Sequence, residues 1–163
     1  MKNLKQRRRE YKTDYKKRIS LLKGRKPRIV FRRTNRYIIA QYIESKGAKD
    51  RVVLTINSKE LLKYGWPKNA SGSLKSIPAN YLTGYLIGKQ IILKKLENPI
   101  VDFGMLRVLH KTKIYGFLKG LIDSGIKIEC DKKYFPEDNK IKGEQLKNKI
   151  QFEEIKLKIE KLK

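Results

Sequence analysis

Apolar and polar positions alternate along residues 28–43 in the pattern of a β-hairpin. Two runs rich in β-branched and aromatic residues flank Thr34 and Asn35, and Asn tolerates the positive φ of a two-residue turn, so the turn is placed at that pair. Successive strand side chains point to opposite faces. Ile29, Phe31 and Arg33 therefore share one face, and Arg28, Val30 and Arg32 share the other. Both ladders become cationic towards the tip, where Arg32, Arg33 and Arg36 crowd together. After a polar connector at 45–50, residues 51–57 (RVVLTIN) read as a third strand. Three sequential strands with short links predict an antiparallel meander.

The period then changes. Residues 58–65 (SKELLKYG) predict a short helix with Ser58 as N-cap and Gly65 at its end. Residues 66–77 carry no periodicity and read as a loop. Pro78 suits the first turn of a helix, and Leu82, Tyr85, Leu86, Ile92, Leu93 and Leu96 recur near the 3.6 period. Gly84 and Gly88, four apart, allow that helix to approach the sheet closely. The run from Gly84 to Gln90 superficially resembles a phosphate-binding loop. It is one residue too short, lacks Ser or Thr after Lys89, and lies inside a helix, so it is rejected. Pro99 breaks the helix, and residues 100–104 form a brief buried strand. Thr112 can cap a second amphipathic helix with an apolar stripe from Ile114 to Ile122, Gly116 and Gly120 repeating the close spacing and Gly125 ending it. Residues 126–128 are expected to return to the sheet. A polar stretch at 131–143 leads to a last helix, mostly charged, expected to dock weakly or on a partner.

Three strands, helix, strand, helix predict an α/β layer with a mixed sheet. The chain divides into a basic arm (1–26), an α/β core (27–130) and an extension with a helix (131–163).

Charge changes the picture more than length does. The chain of 163 residues holds 41 Lys and Arg against 16 acids, a net charge of +25. Residues 1–36 alone hold sixteen Lys or Arg and two acids, Glu10 and Asp14. Repulsion on that scale opposes compaction unless a polyanion neutralises it. The arm interleaves aromatics with cations: Arg7, Arg8, Arg9 and Lys12 lie near Tyr11, and Tyr15 precedes Arg18. Arg and Lys suit phosphates, and Tyr suits stacking on bases or ribose. The arm is expected to be disordered or loosely helical until bound. Arg25, Lys26 and Arg28 continue the run, and Arg32, Arg33, Asn35 and Arg36 form the hairpin tip. Further along, Lys111 and Lys113 place cations beside the second helix. Arg's planar fork fits phosphate better than a merely solubilising edge would require, which points to nucleic acid.

One cysteine, Cys130, excludes an internal disulfide and suits a reducing compartment. A single histidine, His110, makes a Cys/His zinc site untenable. No run approaches the roughly 20 apolar residues of a membrane span, and the N-terminus lacks the apolar core of a secretory signal. The expected compartment is the cytoplasm.

The order of elements resembles the ribonuclease H-like fold, whose nucleases converge several carboxylates on metal ions. Residues 28–43 contain one type of charge only, and Asp102 is the single acid on the fourth strand. One carboxylate cannot hold a metal pair, and a polar role at the strand end suits Asp102 better. His110 has no acid beside it in sequence, and Cys130 lies between Glu129 and Asp131, which raise a thiol pKa. A metal-dependent nuclease is therefore the disfavoured alternative, and no cofactor is expected.

Five stretches carry a family resemblance: residues 26–41 (KPRIVFRRTNRYIIAQ), 58–66 (SKELLKYGW), 79–84 (ANYLTG), 118–125 (LKGLIDSG) and 135–144 (FPEDNKIKGE). In this order, with the arm beginning at Arg7-Arg8-Arg9-Glu10, they resemble the archaeal and eukaryotic branch of the ribosomal protein L-eighteen family. The resemblance implies a non-catalytic protein that binds 5S rRNA and joins it to large-subunit rRNA in the central protuberance, next to other ribosomal proteins. It implies RNA contacts at Arg7, Arg8, Arg9, Tyr11, Tyr15, Arg18, Arg25, Lys26 and the hairpin tip. The loop holding Lys68 and Ser71 falls on an RNA-facing segment of the family. This chain departs there, being longer and rich in Ser, and departs again at residues 110–113 (HKTK).

Overall fold

The computed structural model describes residues 5–10, 12–47, 49–146 and 149–162. Two arm helices, α1 (Gln6–Arg9) and α2 (Tyr15–Lys23), precede β1 (Arg28–Arg33), β2 (Ile38–Lys46) and β3 (Lys49–Asn57). Then come α3 (Ile77–Leu93), β4 (Ile100–Asp102), α4 (Lys113–Asp123), α5 (Asp138–Lys142) and α6 (Phe152–Glu160). The sheet order is β3-β2-β1-β4, antiparallel except that β4 runs parallel to β1. The predicted α/β class, with a mixed sheet built on a meander, is what forms.

The turn sits one residue later than its sequence suggests. Arg33 pairs with Ile38, and the Thr34 N–H donates to the Tyr37 carbonyl at 2.9 Å. The Tyr37 N–H donates to Thr34 Oγ1, also at 2.9 Å. This hydroxyl closes the turn around Asn35 and Arg36, and neither residue adopts a positive φ. The polar connector at 45–50 is also redrawn, because Ser45 pairs with Asp50 and Lys46 with Lys49. Gly47, at φ 63°, reverses the chain there. The ladder continues through polar residues because each strand's backbone pairs whatever its side chains are.

The core lies between one sheet face and the helices. Ile29, Phe31, Ile38, Ala40, Tyr42 and Ile56 are buried on that face. Phe31 meets Phe117 of α4 with ring centroids 4.7 Å apart. The glycines predicted to press a helix on the sheet instead press α3 on α4. A Cβ at Gly84 would lie 2.3 Å from the Phe117 carbonyl oxygen, and one at Gly120 would lie 2.1 Å from that of Tyr81. Spacing identified a flat helix face and not its partner.

Residues 58–64 form a 3₁₀ helix capped by Asn57 and not by Ser58. Asn57 and Glu60 make a reciprocal capping box, which frees the buried Ser58 hydroxyl to accept the Ile38 N–H at 3.1 Å. The aperiodic loop folds into another 3₁₀ segment, Lys68–Ser73, around buried Trp66, whose Nε1 donates to the Ala70 carbonyl. Residues 126–128 do not join the sheet. The Asn98 side chain takes up both backbone groups of Lys127, at 2.8 and 3.1 Å, so these are satisfied without a strand partner. The last helix docks on its own chain: Phe152, Ile155 and Ile159 are buried, Phe152 packs on Tyr81, and the Tyr85 hydroxyl donates to Glu160.

Candidate functional site

The hairpin divides the cationic end in two. Alternation along β1 sends Arg32 to the face that bears the arm and Arg33 to the face that bears the helices. Arg32 faces a polar hollow of about 130 Å³ lined also by Arg7, Lys12, Lys17 and Arg18, with Asp14 and Asp102 as its acids. Arg33 faces a hollow of about 450 Å³ that it shares with Arg107, Lys111 and Lys113.

On the arm side the charges are anchored. The Asp14 side chain accepts the Lys17 N–H and pairs with Arg8 at 3.0 Å, capping α2. Backbone and arginine contacts to Asp14 hold its carboxyl below the ordinary range, against a smaller opposing effect of burial. Lys17 Nζ donates to the Gly104 carbonyl, and Arg18 pairs with Asp50 at 2.8 Å. Burial pushes Asp50 up, but the Ser45 hydroxyl, Arg28 and Arg18 together leave it lowered. Arg32 is 3.5 Å from Asp102 and donates to the Phe31 and Asp102 carbonyls. Asp102 Oδ1 accepts the Gly104 N–H at 2.7 Å. This carboxylate is engaged by arginines and a turn, the strand-end role its sequence position suggests.

Arg28 corrects the sequence reading. It shares a strand face with Arg32 but is 2% exposed. Its guanidinium meets Asp50 at 2.9 Å, Ser45 at 3.1 Å and Asp102 at 3.6 Å. Buried among carboxylates, Arg28 faces no ligand. Its acids come from β3 and β4, and no local signal announces them.

The other candidates are distributed unevenly. Arg7, Arg9, Lys12, Arg25, Lys26, Arg32, Arg33, Asn35 and Arg36 are exposed. Arg25 sits in the left-handed region at φ 50°, just beyond the end of α2. Arg8 is half-buried against Asp14 and the Met105 sulfur. Tyr15 is half-buried with Lys5 Nζ 4.8 Å from its ring centre. Tyr11 lies outside the described residues. Lys68 and Ser71 are exposed on the 3₁₀ segment and line neither hollow.

Two cations absent from the sequence-based site, Lys75 and Arg107, join the helix side. Lys75 Nζ donates to the Asn35 carbonyl at 2.9 Å, tying the loop before α3 to the hairpin tip. Neither is marked out from the other cations of its segment in sequence; the contact with Asn35 and the shared lining with Arg33 single them out. Lys113 is half-buried there, and burial first, then the charges of Arg33 and Lys75, lower its pKa. His110 stacks on Tyr134 with centroids 4.1 Å apart. Cys130 is held above the ordinary thiol range by burial and then by Asp131.

Fold and site together define a basic α/β protein that presents a cationic hollow on each side of one hairpin. Residues 1–101 match the family described as ribosomal large subunit proteins 60S L5, and 50S L18. The chain is 46% identical over 140 residues to the large ribosomal subunit protein uL18 of Korarchaeum cryptofilum, covering 86% of this chain and 70% of that one. It is 37% identical over 142 residues to uL18 of Methanothrix thermoacetophila, covering 87% and 82% respectively. It is 38% identical over 140 residues to uL18 of Methanospirillum hungatei, covering 86% and 78%. The chain belongs to this family of large-subunit ribosomal proteins.

Proposed function

We propose that the chain is a structural constituent of the large ribosomal subunit that binds 5S rRNA and attaches it to large-subunit rRNA in the central protuberance. Neighbouring ribosomal proteins are its other partners, and neither a cofactor nor a small-molecule substrate enters this reading. The arm, residues 25–26 and the hairpin tip make the RNA contacts, with Lys68, Ser71, Lys111 and Lys113 at their margin.

The observation that carries the reading is the pair of cationic hollows around Arg32 and Arg33. Among the described residues, no acid lines the helix-side hollow. Uncompensated cations so close together cost the free protein stability, and a phosphate backbone reverses that cost. The sheet order, with β4 parallel to β1, supports a ribonuclease H-like core. In that core Asp102 holds arginines, so a structural role fits better than hydrolysis. The arm (1–26) would then act as a clamp on a core spanning 27–130, with 131–163 as an appended support.

The test compares binding of the purified chain to a 5S rRNA transcript and to duplex DNA of similar length over a range of KCl. The expected result is clear preference for 5S rRNA and a log K that falls linearly with log [KCl]. Equal affinity for both nucleic acids at moderate salt would overturn the proposal.

A further inference from the structure

The hollow on the helix side of the hairpin is built differently from the one on the arm side. Arg33, Arg107, Lys111 and Lys113 supply cations to its lining, while Ile77, Leu106, Leu109 and Ile114 supply an apolar surface. At about 450 Å³ it falls within the range of small-ligand sites, roughly 300–1,000 Å³. Leu109 is 47% exposed and its neighbour Val108 is 42% exposed. Two open aliphatic side chains in a loop so rich in cations are not explained by solubility.

The loop is held in shape. Lys111 occupies the left-handed region at φ 56°, which a residue with a side chain seldom adopts. Its N–H donates to the Tyr134 carbonyl at 2.8 Å, and the Thr112 hydroxyl donates to the Leu109 carbonyl at 2.6 Å. His110 is drawn away onto Tyr134. Lys113, half-buried, shares this lining with Arg33, Arg107 and Lys111, and among the described residues no acid lines the hollow.

A bare phosphate would use the cations and leave Leu106 and Leu109 idle. An unstacked nucleotide uses both, because a base offers a flat apolar face one sugar away from its phosphate. Arg33 also belongs to the hairpin tip, so the hollow is continuous with the surface assigned to RNA. We propose that it seats one unstacked nucleotide of the bound rRNA, the base against Leu106 and Leu109 and the phosphate between Arg33 and Lys113. This deepens the rRNA-binding reading and rests on it.

The test follows methyl resonances of the full chain during titration with the single-stranded pentaribonucleotide A5, with inorganic phosphate and with a Glu-Leu-Glu-Leu-Glu peptide. A5 is expected to shift the methyls of Leu106 and Leu109, and phosphate is expected to leave them in place. Leu109→Ser removes no core side chain and should weaken A5 about tenfold, the effect of losing one leucine's apolar contact with a base, with an unchanged salt slope. Lys113→Gln should lower the slope by about 0.7, the contribution of one phosphate on a single strand. Unmoved methyls, shifts reproduced by phosphate, or tighter binding of the peptide would each overturn the proposal. Wild-type affinity for 5S rRNA, measured alongside, separates the two readings. Tight 5S binding with unmoved methyls removes the nucleotide seat alone, whereas failure to bind 5S rRNA removes the functional reading beneath it.

Discussion

Replacing Gly120 by Ala tests how the helical layer is held together. A Cβ at Gly120 would lie 2.1 Å from the Tyr81 oxygen and 2.9 Å from the Tyr85 nitrogen, both main-chain atoms of α3. The first distance falls roughly 1.3 Å short of ordinary contact near 3.4 Å. No rotamer change relieves a clash with backbone, so α3 and α4 must part by about that distance. Parting them loosens the contact between Phe31 and Phe117, now 4.7 Å between centroids. Overpacking of this kind costs ~1–3 kcal/mol, and a rigid partner places Gly120 at the top of that range. Alanine returns about 1 kcal/mol of helix propensity, leaving a net loss of ~2 kcal/mol. For a chain of this size that corresponds to a fall in Tm of roughly 4–8 °C. Melting followed by circular dichroism, with urea unfolding as a second measure, reads the change. Gly72→Ala is the control, since a Cβ there meets nothing within 4 Å, and it should stay within about 0.5 kcal/mol of wild type. A Gly120→Ala protein that melts within about 1 °C of wild type would refute the argument from close approach.

Arg28→Ala removes the buried partner of Asp50 and Asp102, leaving Asp50 to Arg18 and Asp102 to Arg32, and should cost ~1.5–3 kcal/mol in urea unfolding. Arg28→Met should cost less and leave the salt slope of rRNA binding unchanged; a slope lowered by one would show that Arg28 reaches phosphate after all. Asp50 has a folded pKa below its ordinary value, so its stabilisation is present above the unfolded pKa, near 3.9, and lost as pH falls through the lower folded value. The stability gap between wild type and Asp50→Asn should therefore be widest near neutrality and close below about pH 4, and a gap constant down to pH 2 would contradict the pairing. Replacing Arg32, Arg33 and Arg36 together by Ala should weaken 5S rRNA binding by ~1–3 kcal/mol per well-used contact with little change in melting. An unchanged Kd would show that the tip is idle.

Period and punctuation carried the elements further than their partners. The alternation of Ile29, Phe31 and Arg33 against Arg28, Val30 and Arg32 is local, and the two faces formed as read. The stripe from Ile114 to Ile122 likewise became α4, with Gly125 closing it at φ 109°. What failed to show was anything set by a distant residue. The Asn98 side chain holds both backbone groups of Lys127, and 126–128 stay off the sheet, while the Ser58 hydroxyl accepts from Ile38 instead of capping its own helix. The apolar side of the last helix (Phe152, Ile155, Ile159) is readable in the sequence, but its partner is not: expected to dock weakly or on another molecule, it buries that side against its own chain, with Phe152 on Tyr81 of α3. For the candidate site, charge density in the sequence pointed to the arm and the hairpin, while Lys75 and Arg107 enter only through the tertiary contacts that set them beside Asn35 and Arg33.

Arginines 28, 32 and 33 show why residue type alone does not assign a role. Arg28 and Arg32 lie on one face of one strand, but Arg28 is surrounded by Ser45, Asp50 and Asp102 and is closed off from solvent. Arg32, with a side chain 44% exposed, keeps only the edge of that network. Its guanidinium lies over Gly104, where a Cβ would come within 3.0 Å of Nη1, and Gly104 itself sits at φ 59°. Asp102 and the bare backbone at Gly104 thus fix Arg32 in place without neutralising it. A side chain already ordered loses less entropy on meeting a phosphate. Arg33, one residue on, has cations as neighbours instead, so in the proposed role its gain on binding would come from relief of repulsion. If the proposed RNA contacts hold, the two sides of the hairpin would meet an anion by opposite means, and the acids that reach one side and not the other, Asp14 of the arm and Asp102 of β4, would make the difference.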